Sequence, residues 1–424
     1  MVTGKEMVFD DIDKAFEYIL SKEQNDLKTN AFRQNPPMVQ RGMHNPFIVP
    51  FKLERAFIPV GSLEYPLNAF YNNAPDDKFI MTRLGSGRYS LKPNLCRRAF
   101  LFRGESEFHQ PCVPNLSRNP KQKRFTADLA RGQEMMLLML SHPLVQLLDM
   151  GVELDGTVCQ FEMNLYGLTQ HYYNKTQFLD LTSSPEVAAF FATTNYDWRT
   201  DTYSPIVDED HKPGVLYYYG LDVNKDFSMT GLRTIGLQVF PRSRFQRGFL
   251  YHLPIGKNFN DLSQLNAVFF HHNAAIAKRI SNSFHKGVDL FPNDILTEHW
   301  KSYNLGSMVL SNRTVRLNKH FNPDMTMAAV EAEISSFGFH IQDYIPSFTQ
   351  DELDVYYDSI QNHDFWGNFC SQIHIPGDKD GKMMKDLVNL PNNPQYRWAF
   401  VRGGSHLLDY SKGHVMNMYK DCLV

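Results

Sequence analysis

Cysteine is scarce and poorly placed for a scaffold or a metal site. The 5 that occur, Cys96, Cys112, Cys159, Cys370 and Cys422, are odd in number, widely scattered and never arranged as CxxC. Neither a disulfide framework nor a zinc site is indicated, and a reducing cytoplasm is the expected location. Long apolar runs are missing too: the longest, MMLLML at Met135–Leu140, is far short of the roughly 20 residues that cross a bilayer. Glu6, Asp10, Asp11 and Asp13 stand where a secretion signal needs an uninterrupted apolar stretch. No membrane association is therefore expected. Charge of one sign is not in excess. With 43 Lys+Arg against 46 Asp+Glu and a net charge of -3, the chain is a poor general polyanion binder, because such binding needs many phosphates neutralised at once. The local exception is RNPKQKR, Arg118–Arg124, which reads either as a solvated loop or as a patch meeting an acidic or nucleic-acid target. Internal repeats and low-complexity tracts are absent, which excludes a solenoid.

What is present is globular composition: 424 residues, 42% hydrophobic, 13% aromatic and 21% charged, enough to bury a full core in two or three domains. Residues 1–88 hold one amphipathic helix, with Ile12, Phe16, Ile19 and Leu20 at helical spacing, then the breaker-rich connector Arg33–Pro46 and an irregular segment. Residues 89–303 mix strand and helix signals and carry every motif. Residues 304–424 form a smaller accessory region with a helix in MTMAAVEAEISSFGF and a turn-rich HIPGDKDGK.

In the central block, Ala99-Phe100-Leu101-Phe102 reads as a buried strand that stops at Arg103-Gly104-Glu105. GQEMMLLMLSHPLVQLLDMG reads as a helix pair or one Pro-kinked helix, and FEMNLYGLTQHY as an amphipathic helix delivering Gln170 and His171 near its end. Thr176–Leu181 reads as a short strand running into Thr182-Ser183-Ser184-Pro185-Glu186. There Pro185 suits the first helical position, Ser184 the cap, and Ser183 with Glu186 the capping-box spacing. Free N–H groups at such a junction suit an anion or an amide, and equally the hydroxyls can simply cap the helix. QVFPRSRFQRGFLYHL combines Arg242, Arg244, Gln246 and Arg247 before Gly248, after which Phe249, Tyr251 and Leu253 alternate as a strand. The arginines can bind phosphate, with the glycine admitting a ligand, or lie on a solvated turn. His271-His272 has no partner at metal-ligand spacing, so no metal is expected.

Together FRGE, LTQHYYNKTQFLDLTSSPEVAAFFA, RFQRGFL and GVDLFPND, in this order over roughly residues 89–303, resemble the FRG domain, a bacterial family linked to ADP-ribosyltransferases. The resemblance implies an α+β fold with a central split antiparallel sheet flanked by helices and an NAD cleft. In that cleft a first-strand Arg or His, a Ser/Thr cluster at a strand-to-helix junction and a Glu or Gln on a later strand act together. Carried onto this sequence, Arg103 holds NAD and Gly104 admits it. Thr182, Ser183 and Ser184 position the nicotinamide ribose, Gln246 stands in the catalytic Glu/Gln place, and His171 and Arg244 add cofactor contacts. Two departures matter. Gln246 is an amide and cannot neutralise an oxocarbenium ion, which leaves Glu105 and Glu186 as compensating carboxylates, although Glu186 also suits capping. The family's Gly-Leu-Pro-Thr-Arg is Tyr173-Asn174-Lys175-Thr176-Gln177 here, so its arginine is absent. Arg103 also has a structural reading, paired with Asp180 across the sheet, and His171 one as a core histidine. The function implied is NAD-dependent ADP-ribosyl transfer to a protein or nucleic acid in a toxin, stress or phage-defence setting. The alternatives are NAD hydrolysis and a catalytically inactive nucleotide- or protein-binding module.

Overall fold

The computed structural model describes residues 2, 7–29, 49–50, 57–58, 74–84, 86–118, 125–197, 199–208, 210–221, 231–299, 308–403 and 413. The connector Arg33–Pro46 and most of the basic run after Arg118 lie outside them.

Seven strands build the central sheet: β1 (Val8–Phe9), β2 (Phe100–Glu105), β3 (Phe178–Thr182), β4 (Gly214–Gly220), β5 (Leu232–Thr234), β6 (Gly248–His252) and β7 (Leu265–Phe270). Side by side they run β1-β7-β4-β2-β3-β6-β5. All neighbours are antiparallel except β1 on β7. β4 pairs along its length with both β2 and β7, whereas β2 and β3 meet at a single pair, Phe102 opposite Thr182. The sheet is thus split at its centre, within a mixed α+β fold.

Both faces of the sheet are covered, so its strands read as continuous apolar runs rather than as clean alternation. Alternate residues nonetheless go to opposite sides. Leu101 packs with Leu179, Leu181, Tyr217 and Phe249 on one face, and Phe102 with Val187, Phe190, Leu216 and Tyr218 on the other. β2 runs on through Arg103-Gly104-Glu105, so the charged pair lies inside the strand and not beyond its end. The partner strand β4 supplies the backbone pairing that keeps it extended, with Tyr217 opposite Arg103 and Val215 opposite Glu105.

Helices α1 (Ile12–Thr29), α2 (Phe125–Leu140), α3 (Pro185–Thr193) and α4 (Ala274–Ser283) flank the sheet. α3 begins as its sequence dictates: Pro185 follows the cap Ser184, whose Oγ accepts the Val187 N–H at 3.3 Å. The Ser183–Glu186 box is not formed; Glu186 instead accepts from the Ser184 hydroxyl at 2.7 Å. α3 lies directly on β2, and a Cβ on Gly104 would come within 1.9 Å of the Ala188 carbonyl oxygen. The apolar run after α2 is a second helix, Pro143–Met150, with His142 as its cap. FEMNLYGLTQHY becomes helical only from Leu165, capped by Asn164, and tightens to a 3-10 turn over Thr169–Tyr172.

The two ends of the chain join the core of the central block. α1 buries Ile12, Ala15 and Ile19 against α3 and α4 residues. Strands Phe79–Arg83 and Tyr89–Pro93 form an antiparallel hairpin, which Ile373–His374 extends in parallel. Leu144, Leu147 and Tyr172 share one cluster with Tyr356, Trp366, Phe369 and Leu387.

Candidate functional site

The split between β2 and β3 is occupied by the Arg103 side chain. Its Nε donates to Glu105 Oε1 at 2.7 Å, with Nη2 in ion-pair contact with the same oxygen at 2.6 Å, and Nη1 donates to the Asp180 carbonyl at 2.9 Å. Burial pulls the guanidinium's pKa down, but the neighbouring carboxylates, Glu105 first and then Asp180, outweigh it, so Arg103 stays firmly protonated. A guanidinium has five N–H groups. With three engaged here, two remain for a ligand. The structural reading of Arg103 is therefore partly realised, through the Asp180 backbone, while Glu105 is its ion-pair partner. Below the pair, burial pushes the Cys112 thiol up to about 12, aided by the Glu105 charge, so it is an inert neutral thiol.

Beside this pair opens a cavity of about 270 Å³. Its polar lining brings together Arg103, Gly104, Glu105, His171, Asp180, Thr182 and Gln246. Phe191, Tyr196 and Tyr203 form an aromatic wall, and the exposed Arg118 and His109 also line it. Tyr196 packs at a tilt against Tyr203 at 4.9 Å, and Tyr203 lies flat on Phe291 at 4.7 Å, which braces the wall from behind.

Gln246 is reached by a short helix, Arg242–Phe245, and a turn through Arg247 at φ +48°. Both polar atoms of its amide are bonded: Nε2 donates to the Leu290 carbonyl at 3.1 Å, and Oε1 lies 2.9 Å from His171 Nδ1. Because Nε2 must face the carbonyl, Oε1 must accept, and the proton of neutral His171 is placed on Nδ1. His171 Nε2 is left buried without a hydrogen bond, 3.8 Å from Asp180 Oδ1. Burial holds the His171 pKa below its usual value, with Arg242 adding to this and Asp180 and Gln246 opposing it. Asp180 is gripped on its other oxygen by Gln170 Nε2 at 2.5 Å, leaving Oδ1 buried and unbonded.

The remaining motif residues support this arrangement. Arg242, 1% exposed, donates to the His171 carbonyl and to Thr297 Oγ1, both at 3.0 Å. Asp294 accepts from Tyr172, and Leu290 supplies the carbonyl for Gln246. GVDLFPND thus clamps the His171 turn and Gln246 in place. Thr182 Oγ1 donates to the Gln246 carbonyl at 2.7 Å and accepts from Ser184 N at 3.0 Å.

Three expectations land elsewhere. Ser183 and Ser184 open on a different cavity of about 190 Å³, shared with Arg97, Arg98 and Arg247. Ser183 Oγ there accepts from Arg247 Nε at 3.4 Å. Arg244 stacks on Phe245 at 4.6 Å and does not line the main cavity. The close approach at Gly104 is to α3 rather than to a ligand, and a Cβ on Gly248 would meet Ile235 at 2.8 Å. Among the described residues no group of three His, Cys, Asp or Glu is placed to hold a metal ion, and no helix is long and apolar enough to cross a membrane. Asp180 and the aromatic wall are cavity residues that sequence patterning passed over as a site; the signal for Asp180 was one carboxylate inside the apolar strand FLDLT.

A family model for the FRG domain matches residues 98–200. The chain carries an FRG domain. The matched span holds Arg103, His171, Asp180 and the Thr182–Ser184 junction, whereas Gln246 and GVDLFPND lie beyond it. No curated protein and no solved structure matches the chain.

Proposed function

We propose that this FRG domain binds NAD at the split in its sheet and acts as an ADP-ribosyltransferase-like enzyme on a macromolecular acceptor, protein or nucleic acid. The observation that carries the reading is the single-pair contact of β2 and β3, Phe102 with Thr182, beside one cavity lined by Arg103, Thr182, His171 and Gln246. The family resemblance calls for an antiparallel sheet split at that point, an Arg on the first core strand, a Ser/Thr cluster at the strand-to-helix junction and a Glu or Gln on a later strand; here Gln246 stands two residues before its strand, β6. Arg103 turns its two remaining N–H groups to the substrate. The wall of Phe191, Tyr196 and Tyr203 offers ring faces for a base or nicotinamide, and Arg118 supplies a cation for the pyrophosphate. Gln246 acts through His171, whose tautomer it fixes, rather than on the ribose.

A second reading is a binding module without turnover, in a cytoplasmic bacterial stress, toxin or phage-defence system. It is favoured by the intramolecular bonds that already occupy Gln246 and most of Arg103. NAD hydrolysis differs from transfer only in taking water as the acceptor. Incubating the intact chain with NAD labelled in the adenylate part, with and without a bacterial lysate, separates the three. Label on protein or nucleic acid supports transfer, free ADP-ribose without lysate supports hydrolysis, and no nicotinamide release in either condition rejects the enzymatic reading.

A further inference from the structure

We infer that Asp180 is the carboxylate that faces the cationic sugar when the nicotinamide–ribose bond breaks, a role that the amide of Gln246 cannot fill. The inference rests on the NAD reading above and adds to it a residue outside the family's expected site positions.

Leaving a buried acceptor unpartnered costs about 1–3 kcal/mol, so such atoms call for an explanation. Three occur together in the lining of the main cavity: Asp180 Oδ1, Glu105 Oε2 and His171 Nε2. All three are acceptors, given the tautomer fixed by Gln246. A pocket floor of bare acceptors complements a ligand end that is cationic and rich in donors. The nicotinamide riboside end of NAD is such a group, carrying a pyridinium charge, a carboxamide NH2 and two ribose hydroxyls. The pyrophosphate end is not, so the riboside points inward.

Of the two carboxylates, Asp180 is the one free to act electrostatically. Glu105 Oε1 takes a hydrogen bond from Arg103 Nε and lies in ion-pair contact with its Nη2, which neutralises its charge at contact distance. Among the described residues, Asp180 has no cationic side chain donating a hydrogen bond to its carboxylate. Its Oδ2 accepts from a neutral amide, Gln170, and Arg103 reaches only its backbone carbonyl. Gln170 is itself held by the Thr176 hydroxyl, so the carboxylate is aimed by a fixed partner. A pre-aimed charge of this kind lowers a barrier because it need not reorganise as the cation forms.

In the step proposed, the C1′–N bond breaks and its electron pair stays on the ring nitrogen of the leaving nicotinamide, which turns from pyridinium to neutral pyridine. The positive charge passes to the C1′–O4′ unit, opposite Asp180. A lone pair of the acceptor hydroxyl, or of water, then forms the new bond to C1′. The acceptor's proton goes to the bare Nε2 of His171, and the resulting imidazolium lies 3.8 Å from Asp180 Oδ1.

The test is Asp180→Asn in the intact chain, which keeps the shape and the Gln170 contact while removing the charge. Nicotinamide release at saturating NAD is expected to fall about 100-fold or more, at least about 10-fold beyond any loss of calorimetric NAD affinity, while the melting midpoint is retained. A purely structural role would move the affinity and the melting together with the rate. Asp180→Glu, which restores the charge on a longer arm, recovers part of the rate. Equal nicotinamide release by wild type and Asp180→Asn overturns this assignment and leaves the NAD reading standing. No NAD binding and no nicotinamide release by wild type overturns both.

Discussion

A methyl group on Gly104 would lie 1.9 Å from the Ala188 carbonyl oxygen and 2.8 Å from the Ala192 Cβ, and neither is the end of a flexible side chain that can swing away. Gly104→Ala must push α3 off β2, at the upper end of the about 1–3 kcal/mol typical of overpacking. Urea denaturation checks this, and an unshifted midpoint would show that α3 does not need the glycine. His171 gives a pH signature. Its folded pKa is depressed, mainly by burial, so the unfolded chain takes up that proton first as pH falls. The stability tied to neutral His171 is complete above about pH 6.5 and is lost as pH drops from there toward the lower folded value. Melting curves from pH 7.5 to 5 should therefore fall less steeply for His171→Asn than for wild type, and equal slopes would place the titration elsewhere. At this scale the sequence exposed residue types but not partners. Arg103 and Glu105 were legible as an anomaly on an apolar strand, whereas their mutual pairing depends on the split beside them.

Among the elements, α1 is tied to the first strand of the FRG domain by one carboxylate. Glu23, 3% exposed, accepts the Ala99 and Phe100 N–H groups at 2.8 and 3.2 Å and Arg98 Nη1 at 2.9 Å. Glu23→Ala orphans two backbone donors and a cation at the entry to β2, for an expected loss of about 2–3 kcal/mol, measurable as a lower urea midpoint with unchanged slope. Local signals were the readable ones. Ser184-Pro185 starts α3 and Gly248 starts β6 where their chemistry says they should. The capping box at Ser183 failed because Ser184 took Glu186 for itself. β1 is two residues long and joins the sheet by pairing with β7, a long-range contact that no local pattern reveals. The single-pair junction of β2 and β3 is likewise a matter of register, and it entered the sequence reading only through family resemblance.

Across the whole molecule, the accessory region is bound by polar as well as apolar contacts. Glu134 on α2, 4% exposed, accepts from Ser311 N at 3.0 Å, from the Ser311 hydroxyl at 2.8 Å, and from Thr314 and Tyr344 hydroxyls. Leu144 and Leu147 pack in the cluster that holds Tyr356 and Trp366. A chain ended at residue 303 strips one side from this core and should aggregate or lose cooperative melting; a soluble fragment with a sharp transition would refute the shared core. Composition alone could not foresee this, because 304–424 carries ordinary helix and turn signals with nothing to mark its partner. The central claim, NAD at the split sheet, is tested most directly by calorimetric titration of NAD into wild type and into the paired variant Arg103→Met, Glu105→Gln. That variant removes both charges at once and so leaves no buried ion uncompensated. The account predicts binding to wild type that is lost or at least about 10-fold weaker, roughly 1.4 kcal/mol, in a variant that still melts cooperatively. No heat from wild type at NAD up to about 1 mM, the upper range of ordinary substrate affinities, would contradict it.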